Sequence, residues 1–542
     1  MIFPRPKKAI YKEERFCGDF IFKNDENGRC ASELLLLFSP AAKCSLSDTE
    51  NVVLKQANLK INGEYRLNIT ENEIIIEYKD YEGMRNAISS LSCLVQRGDI
   101  PCVQVEDYPD NKFRSCLLDL GRGYVEIALL KEHLVRLAKL KFSVAHLHLM
   151  DRQTYILESD VVPNPEGYRK YTKDELKDIV AFCKKIGLEA IPEIEFPAHA
   201  VDLLNSIPEL CCDIINLDKA KQDVEAVENP KKEFYIDKRR VSSWAVCLGK
   251  ESTYEIYEKI IDEIVDIFDS EYLHIGGDEI TFDVLAAFPH WNNCHNCKAL
   301  SEQYGGDLIS MYHHALRRIN EIVKSKGKKM IKWNESRENS HAMDLPNDII
   351  IEFWMNSCFA NSQKDINRLI DMGYTLINAQ YQYTYVDDSE YMTADKINGW
   401  APSKTPEQKT AIWGGEMCAW ELGNPEYAFY NHTLAVCMGY FCDRVWNSDV
   451  VEYDDKYQKL LFETAIGCGE LQINPLGIFA DKMPPRNINV FEGLSAENVR
   501  IEDIPSLVKH LESISKDKCY GKFALAGYIK YLKNLYSQMT KA

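Results

Sequence analysis

The sequence predicts an α/β protein: a (β/α)8 TIM barrel that is preceded by a small α+β domain and followed by a helical C-terminal region. Near residue 112 apolar strands begin to alternate with amphipathic helices, and eight strand segments follow. Polar or aromatic residues stand at the end of each segment, where the active sites of such barrels lie. A chain of 542 residues is long enough for two or three domains. We therefore expect an α+β domain at 1–108, the barrel at 109–455 and the helical region at 456–542.

The first 108 residues have the mixed pattern of an α+β domain. Glu64–Ile69 and Glu73–Tyr78 are strand-like, and residues 83–96 have helical periodicity. The sequence predicts a small separate layer of structure ahead of the barrel.

Eight short apolar segments are predicted as the barrel strands. They are Ser115–Asp119, Val144–Leu149, Glu189–Glu193, Tyr272–Gly276, Lys329–Trp333, Ile349–Trp354, Tyr374–Ala379 and Ala411–Cys418. Eight such strands with helices between them indicate a closed barrel.

The helices between these strands carry start signals. Thr172-x-x-Glu175 and Ser252-x-x-Glu255 both have the pattern of a capping box ahead of an apolar periodicity. The stretch at 201–250 is too long for an ordinary barrel connection, so we expect it to elaborate the active-site face. Beyond residue 455 only helical segments are predicted, at 504–514 and 523–536.

The charge balance limits the class of partner. The chain has 83 acidic and 64 basic residues, a formal net charge of −19. This balance argues against nucleic acid or an anionic membrane as the main partner and favours a neutral or cationic small substrate. The N-terminal segment has basic residues but no apolar signal-peptide core, so we expect a cytoplasmic protein.

The 18 cysteines are scattered without the spacing of a disulfide framework, which predicts mostly buried, reduced thiols. One segment differs. Cys294-x-x-Cys297, with His290 and His295 beside it, could begin a tetrahedral zinc site, but no second Cys-x-x-Cys completes it. A loop with reduced thiols is the simpler interpretation, so we expect no bound metal, with Cys294 and Cys297 as the candidates for one.

The segment His274-Ile-Gly-Gly-Asp278-Glu279 is the strongest local indication of an active site. It puts two adjacent carboxylates where a predicted strand opens into a loop, and the glycines allow a substrate or neighbouring backbone to approach closely. Adjacent carboxylates in a confined site push their pKa values apart, so one can hold a proton while the other stays ionised. The alternative is a solvated turn.

Every predicted strand end contributes a candidate site residue, so the candidates converge if the barrel forms. In chain order they are Arg122, Asp151, Glu193 with His199, Asp278 with Glu279, Trp333, Trp354, Tyr385 with Asp387, and Trp420 with Glu421. Aromatic walls with hydrogen-bonding carboxylates suit a sugar ring. Individual members have structural alternatives. Arg122 could form a structural ion pair, Trp333 and Trp354 could fill the core, and Glu193 could pair within the barrel, while His199 could be a packing histidine.

Four segments in one order carry a family resemblance. They are Phe113–Arg122, His146–Asp151, Ile191–His199 and His274–Glu279, and together they resemble glycoside hydrolase family 20, the β-N-acetylhexosaminidases. The resemblance runs from about residue 60 to 440. It implies a barrel with an accessory α+β domain and an exo-acting enzyme that releases terminal GlcNAc or GalNAc from oligosaccharides or glycoconjugates.

The resemblance also implies roles for individual residues. Glu279 would protonate the glycosidic oxygen and then deprotonate water, while Asp278 would orient the substrate's 2-acetamido group as its oxygen attacks the anomeric carbon. No enzyme nucleophile and no cofactor are needed. Tyr385 would support the acetamido oxygen and Asp387 would bind a sugar hydroxyl.

The remaining candidates would hold the sugar. Arg122 resembles the arginine that fixes O3 and O4 of the terminal sugar, and Asp151 with His199 resembles a hydrogen-bond relay toward the acid. The acetamido pocket and the sugar platform are implied for three tryptophans: Trp333, Trp354 and Trp420.

Three positions depart from the family pattern. Arg152 replaces a second carboxylate after Asp151, so an anionic sugar is conceivable, although a surface arginine is the simpler interpretation. Glu421 lies one residue earlier than the usual acid, which puts its reach to the sugar's O4 in doubt. Ala198 stands where glycine is usual before the histidine.

Two rival functions remain open at this point. One is a catalytically silent sugar-binding protein on the same barrel. The other is a metal-dependent enzyme in which Asp278 and Glu279 ligate a divalent ion, which predicts sensitivity to chelators. The sequence leaves open the choice between GlcNAc and GalNAc and whether the chain forms a homodimer.

Overall fold

The computed structural model describes most of the chain up to residue 448. The described ranges are 2–95, 100–163, 169–215, 245–280, 288–335, 344–355, 362–386, 399–420 and 430–448, with isolated positions at 219, 397 and beyond 504. Within these ranges, no helix has both the length and the apolar character needed to cross a membrane.

The N-terminal part is a seven-stranded sheet with two helices. Its elements are β1 Lys8–Phe16, β2 Phe20–Lys23, α1 Glu26–Phe38, β3 Cys44–Ser47, β4 Val52–Gln56, β5 Tyr65–Ile69, β6 Ile74–Tyr78, α2 Tyr81–Val95 and β7 Ile100–Asp107. The strands lie in the order β1-β7-β5-β6-β4-β2-β3, and β5 pairs antiparallel with both β6 and β7. The two strands and the helix predicted at 64–96 are β5, β6 and α2, so the α+β character of this region is confirmed.

Eight parallel strands form the closed barrel that the sequence predicts. They are β8 Phe113–Asp119, β9 Val144–His148, β10 Glu189–Glu193, β11 Tyr272–His274, β12 Lys329–Trp333, β13 Ile350–Phe353, β14 Thr375–Asn378 and β16 Ile412–Ala419, and the short β15, Tyr385–Val386, pairs with the end of β16. The barrel closes because β16 pairs with both β14 and β8. Each strand overlaps one of the eight predicted segments.

The strand register brings the polar ends of neighbouring strands to one level. Asp119 lies opposite His148, His148 opposite Glu193, and Glu193 opposite His274. The carboxyl ends of consecutive strands therefore present acids and histidines side by side, which is the geometry from which a barrel active site is built.

Helices surround the barrel or lie in its loops. They are α3 Ile127–Lys139, α4 Lys173–Lys185, α5 Val201–Ser206, α6 Glu251–Ile267, α7 Phe288–Asn292, α8 His295–Glu302, α9 Leu308–Ser325, α10 Ser362–Asp371, α11 Tyr381–Thr384, α12 Pro406–Ala411 and α13 Tyr430–Trp446. A single 3-10 turn, Pro208–Leu210, follows α5.

One of the two predicted capping boxes is confirmed and the other is wrong. Thr172 Oγ1 accepts a hydrogen bond from the Glu175 amide at 3.1 Å, and the Glu175 carboxylate accepts one from the Thr172 amide at 2.9 Å. The second helix begins at Glu251, so Ser252 already lies in its first turn and cannot cap it. The N-cap position is Lys250, which makes no side-chain cap hydrogen bond, and Thr253 in the first turn donates from Oγ1 to the carbonyl of Cys247 at 2.7 Å.

A buried carboxylate joins the N-terminal sheet to the barrel. Asp107, at the end of β7, accepts hydrogen bonds from the Tyr65 hydroxyl at 2.7 Å, from Lys141 Nζ at 3.1 Å and from Trp446 Nε1 at 2.9 Å. One side chain therefore links β5, the segment after α3, and the end of α13. The domain boundaries at 108 and 455 stay predictions, and most of the predicted C-terminal helical region lies outside the described residues.

Most of the cysteines in the described ranges are buried free thiols, as predicted.

Candidate active site

A pocket of about 230 Å³ opens at the carboxyl ends of the barrel strands. Eight of the candidates from the sequence line it, together with three further residues. The lining residues are Arg122, His148, Asp151, Glu195, His199, Asp278, Glu279, Trp354, Tyr381, Tyr385 and Trp420, of which His148, Glu195 and Tyr381 are the additions to the eight predicted ones.

Backbone conformation and close packing explain the two glycines, Gly276 and Gly277, that follow β11. Gly276 has φ +65°, and a Cβ there would lie 1.8 Å from Oε2 of Glu195. Gly277 has φ +101°, and its carbonyl accepts a hydrogen bond from the Tyr312 hydroxyl at 2.5 Å. Only glycine adopts these conformations without strain, so the pair lets the chain turn tightly past the Glu195 carboxylate.

This turn presents the two adjacent carboxylates to the pocket. The side chains of Asp278 and Glu279 are 17% and 22% exposed. Glu279 has φ +53° and His199, opposite it, has φ +52°. Non-glycine residues in the left-handed region are uncommon and gather at functional sites, because the surrounding structure must compensate for their strain.

A chain of ion pairs runs from Arg122 to the two carboxylates. Arg122 Nη2 lies 2.8 Å from Asp151 Oδ2, which lies 3.1 Å from His199 Nδ1. The other ring nitrogen of His199 lies 3.4 Å from Glu279 Oε2 and 3.8 Å from Asp278 Oδ2. The distances are those of the relay that the resemblance implies for Asp151 and His199, and His199 lines the pocket; the relay's role in catalysis stays a prediction.

These pairs shift the pKa values along the chain. Burial alone would lower the pKa of His199, but the carboxylates of Asp151, Glu195 and Asp278 outweigh it and hold that pKa well above its usual range. Burial alone would raise the pKa of Asp151, and Arg122 with His199 outweighs it and lowers that pKa. His199 is therefore a cation held between carboxylates.

The pKa of the Asp278 carboxyl is raised by its surroundings. Burial raises the pKa of Asp278 well above its usual range, the His199 cation opposes this, and the neighbouring carboxyls of Glu195 and Glu279 add to it. Asp278 Oδ1 is buried with no hydrogen-bond partner among the described residues. This atom can accept a hydrogen bond from a group that enters the pocket, and such a bond would favour the ionised carboxylate.

Aromatic side chains form one wall of the pocket. Trp354 and Tyr385 stack with ring centroids 6.2 Å apart and planes at 11°, and Trp420 meets Tyr385 edge-on at 5.7 Å. The Arg122 guanidinium lies 5.1 Å from the Trp420 ring. Flat apolar faces beside charged groups suit the C–H face and the hydroxyls of a sugar.

Two predicted site residues lie below the pocket instead of lining it. Trp333 is 1% exposed, donates from Nε1 to Glu193 Oε1 at 2.7 Å and is not among the residues that line the pocket, so its contact with the sugar stays a prediction. Glu193 also lies 2.8 Å from His274 Nδ1 and 3.3 Å from His146 Nε2. Both residues point into the barrel interior, where a buried acid and indole satisfy each other, and the structural alternative for Glu193 is confirmed.

Two of the three additional lining residues follow a signal that the sequence contains. His148 lies two residues after His146, and Glu195 lies two residues after Glu193, so a period-2 repeat of polar residues runs toward the strand ends. His148 Nε2 lies 3.0 Å from Glu195 Oε1 and its Nδ1 lies 2.9 Å from Asp119 Oδ1. Tyr381 belongs to the short α11, which no strand pattern predicts.

Other predictions about the site have separate outcomes. Asp387 and Glu421 lie outside the described residues. Arg152 is exposed and is not among the residues that line the pocket. Ala198 is fully buried and the left-handed conformation falls on His199, so the replacement of glycine at 198 needs no unusual backbone there. No group of three possible metal ligands in the described part of the chain includes Asp278 or Glu279.

Comparison with known proteins gives a consistent family. Residues 111–421 match glycosyl hydrolase family 20, catalytic domain, and residues 24–108 match domain 2 of the same family. A β-hexosaminidase of Vibrio furnissii is 25% identical over 394 residues, which are 67% of this chain and 57% of that protein. The β-hexosaminidase subunit alpha of Rattus norvegicus is 23% identical over 412 residues, 72% of each chain.

Solved structures share the fold. The β-N-acetylhexosaminidase from Bacteroides fragilis superposes with a TM-score of 0.71 at 21% identity, covering 87% of this chain and 96% of that one. An exo β-N-acetylglucosaminidase from Vibrio harveyi, solved in complex with N-acetylglucosamine, has a TM-score of 0.69 at 20% identity, covering 89% and 78%.

The chain spans 57% and 51% of the length of two curated β-hexosaminidases, those of Vibrio furnissii and Emericella nidulans. The match to the catalytic domain covers more than half of this chain and includes all eight barrel strands and the described pocket. The chain therefore belongs to glycosyl hydrolase family 20.

Proposed function

We propose that this protein is an exo-acting β-N-acetylhexosaminidase that releases terminal GlcNAc or GalNAc by substrate-assisted retaining hydrolysis. The observation that carries the proposal is the Asp278–Glu279 pair, which faces the pocket beside the His199 cation. Relatives with the same barrel are named β-hexosaminidases, and one related structure holds N-acetylglucosamine. Terminal N-acetylhexosamine is therefore the partner that we infer.

The size of the pocket supports exo action. Its volume of about 230 Å³ lies below the range of roughly 300–1,000 Å³ that is usual for drug-sized ligands. One sugar ring with its acetamido arm is a suitable occupant, and Trp420 and Arg122 offer it a flat surface and hydroxyl-binding charge. The rest of the glycan would extend outward.

In the first step the glycosidic bond breaks. Glu279 donates its proton to the glycosidic oxygen, the carbonyl oxygen of the 2-acetamido group attacks the anomeric carbon, and the leaving sugar departs as an alcohol. The product is a bicyclic oxazolinium. Asp278 accepts a hydrogen bond from the acetamido N–H, which orients the attacking oxygen and stabilises the positive charge that develops on the ring.

In the second step water opens this intermediate. The Glu279 carboxylate takes a proton from water as its oxygen attacks the anomeric carbon, and the acetamido group is regenerated. Two inversions at one carbon retain the β configuration. Tyr385 lines the pocket, and its hydroxyl would hold the acetamido oxygen during both steps.

The charges around Asp278 support its role. The His199 cation favours the ionised form of Asp278 by lowering its pKa, and Asp151 with Arg122 holds the ring of His199 in place. In the free pocket burial raises the pKa of Asp278, and a bound acetamido N–H would restore the ionised form that the first step needs.

The test is hydrolysis of an aryl N-acetyl-β-glucosaminide beside the matching β-glucoside. Wild type should cleave only the acetamido substrate, since the glucoside has no internal nucleophile. Glu279→Gln and Asp278→Asn should each lose about 10²–10⁴-fold in rate. Glu255→Gln on the exposed face of α6 is the matched control and should keep full activity.

Two outcomes would contradict the proposal. Equal cleavage of the glucoside would exclude substrate assistance. Failure to cleave both the glucosamine and the galactosamine substrate, with retained binding of N-acetylglucosamine, would favour a sugar-binding protein. A divalent metal that wild type contains and that Asp278→Asn has lost would favour the metal-dependent rival, because that chemistry requires an ion bound by this carboxylate.

A further inference from the structure

Four cysteine sulfurs meet at one place outside the barrel. The Sγ atoms of Cys212, Cys247, Cys294 and Cys297 all lie within 4.8 Å of one another. Individual separations are 3.5 Å for Cys247–Cys297, 3.6 Å for Cys247–Cys294 and 3.9 Å for Cys212–Cys297. Three of the four side chains are fully buried and Cys212 is half-buried.

These distances have a definite chemical meaning. A disulfide would bring two sulfurs to about 2.05 Å, so the four residues are thiols and not cystines. A tetrahedral ion bound at about 2.3 Å by four sulfurs sets the sulfurs about 3.8 Å apart. The observed separations scatter around that value, so the side chains already have the spacing of a four-thiolate metal site.

The four ligands come from three segments of the chain. Cys294 and Cys297 belong to the start of α8, where Cys294 precedes the helix and Cys297 lies in its first turn. Cys212 follows the 3-10 turn, and Cys247 lies in the segment before α6. The two single cysteines complete the Cys-x-x-Cys motif, which is why a search of the sequence for a second such motif does not find them.

The backbone around the cluster is packed for this close approach. A Cβ at Gly249 would lie 2.3 Å from the carbonyl carbon of Asn296 and 2.7 Å from the amide nitrogen of Cys297, so only glycine fits where the two segments touch. Ile214 and Cys294 form an antiparallel bridge. Lys250 Nζ donates to the Cys211 carbonyl at 2.7 Å and lies 3.0 Å from Asp213, which puts a cation beside the four sulfurs.

We propose that Cys212, Cys247, Cys294 and Cys297 bind one zinc ion as thiolates in a structural site. Binding forms four Zn–S bonds and releases four thiol protons, and the resulting centre carries a net charge of −2 that Lys250 partly offsets. All four tetrahedral positions are filled by the protein, so no position is left open for water or substrate. The ion has a structural role, holding loops together, and takes no part in the hydrolysis.

The site links the segments that follow His199 and the active-site acids in the chain. The Val246 amide, next to Cys247, donates to the carbonyl of Pro197 at 2.9 Å, two residues before His199. Trp291, from the segment that follows Glu279, donates from Nε1 to the Val246 carbonyl at 3.0 Å. The zinc therefore stabilises the position of the His199 loop indirectly, through the backbone hydrogen bond between that loop and the segment around Cys247.

Metal analysis of the full-length protein tests the proposal directly. Protein produced with zinc in the medium should contain one zinc per chain. Replacement by Co²⁺ should give the intense visible absorption of a tetrahedral thiolate site. Cys247→Ser and Cys297→Ser should each lose the zinc, whereas Cys211→Ala, next to Cys212 but outside the cluster, should keep one equivalent.

Several results would overturn the proposal. Wild-type protein with no metal, in which all four thiols react with an alkylating reagent, would mean a reduced cluster only. A mass lower by two hydrogens per cysteine pair would mean disulfides, and iron in place of zinc would refute the choice of ion. If the serine variants do not fold, the metal content and cobalt spectrum of wild type decide the question alone. This test does not depend on the glycosidase activity.

Discussion

The carboxylate of Glu195 occupies the space that a side chain at Gly276 would need. The nearest approach of a Cβ at 276 to Glu195 Oε2 would be 1.8 Å. Gly276 lies two residues before Asp278, and Glu195 Oε1 lies 3.0 Å from Nε2 of His148, which lines the pocket. The glycine is therefore tied to the position of two site groups as well as to its own backbone conformation.

Gly276→Ala should lose most of the activity, because Glu195 must move and the turn before Asp278 must shift. Gly327→Ala is the matched control: its φ is +73°, close to the +65° of Gly276, and a Cβ there would meet nothing within 4 Å. The control should lose about 1–2 kcal/mol of stability from backbone strain alone and keep its kcat/KM. Chemical denaturation and steady-state rates of both variants measure the difference. Equal effects in both variants would mean that the Glu195 side chain can move without a loss of activity.

His199→Gln should move the acid limb of the kcat/KM profile to higher pH. Burial raises the pKa of Asp278 and the His199 cation opposes that rise, so the loss of the cation lets the pKa rise further. Ionised Asp278 is the form that accepts the acetamido N–H, so activity falls where the carboxyl gains its proton. A pH profile with the aryl N-acetylglucosaminide measures the shift. His314→Gln on α9, outside the pocket lining, is the control. An acid limb that stays in place or moves down would contradict this coupling.

The barrel could be predicted from the sequence because each strand is short, apolar and separated from the next by an amphipathic helix. The predicted strand ends also brought Asp151, His199, Asp278 and Glu279 to one pocket, since parallel strands share one carboxyl edge. The direction in which a side chain points could not be predicted. Trp333 is the last residue of β12, and whether such a residue points into the barrel or into the pocket depends on the register of its neighbours, which a single sequence does not reveal.

The sequence indicated Cys294 and Cys297 as candidate metal ligands, but the complete group of four cysteines could not be predicted for a different reason. Cys212, Cys247 and Cys294 are separated by long stretches of chain, and only the folded loops bring their sulfurs together. The capping box at Ser252 failed for a local reason, because α6 begins at Glu251, two residues before the start that an N-cap at 252 predicts.

Trp420→Phe and Trp333→Phe should have opposite effects, because one ring lines the pocket and the other lies beneath it. Trp420→Phe should raise KM with little change in stability, since the indole surface beside Arg122 is lost. Trp333→Phe removes the hydrogen bond to buried Glu193 and should cost about 1–3 kcal/mol of stability with KM nearly unchanged. Denaturation curves and steady-state kinetics of the two variants form a matched pair. A rise in KM for Trp333→Phe without a loss of stability would mean that Trp333 contacts the sugar.

Asp107→Asn should destabilise the junction between the N-terminal sheet and the barrel. Asp107 and Lys141 form an ion pair with both side chains 0% exposed, and the variant leaves the Lys141 ammonium buried without its carboxylate. Removing one partner of such a pair costs about 3–5 kcal/mol. Asp178→Asn breaks a surface pair with Lys131, in which Asp178 is 61% exposed, and should cost about 0–1 kcal/mol.

The pH dependence of Asp107→Asn gives the sharper measurement. Burial lowers the pKa of Lys141, and Asp107 opposes this, so the variant lowers that pKa further. In the variant the unfolded chain then binds a proton that the folded chain has lost over the range between the lowered and the ordinary lysine pKa. Stability rises with pH wherever the unfolded state binds more protons, so the penalty of the variant should shrink as the pH is raised toward 10. Urea denaturation of wild type, Asp107→Asn and Asp178→Asn at neutral and alkaline pH measures this. A penalty that is small at neutral pH or constant with pH would mean that Lys141 finds another anion, and that Asp107 does not hold the junction through its charge.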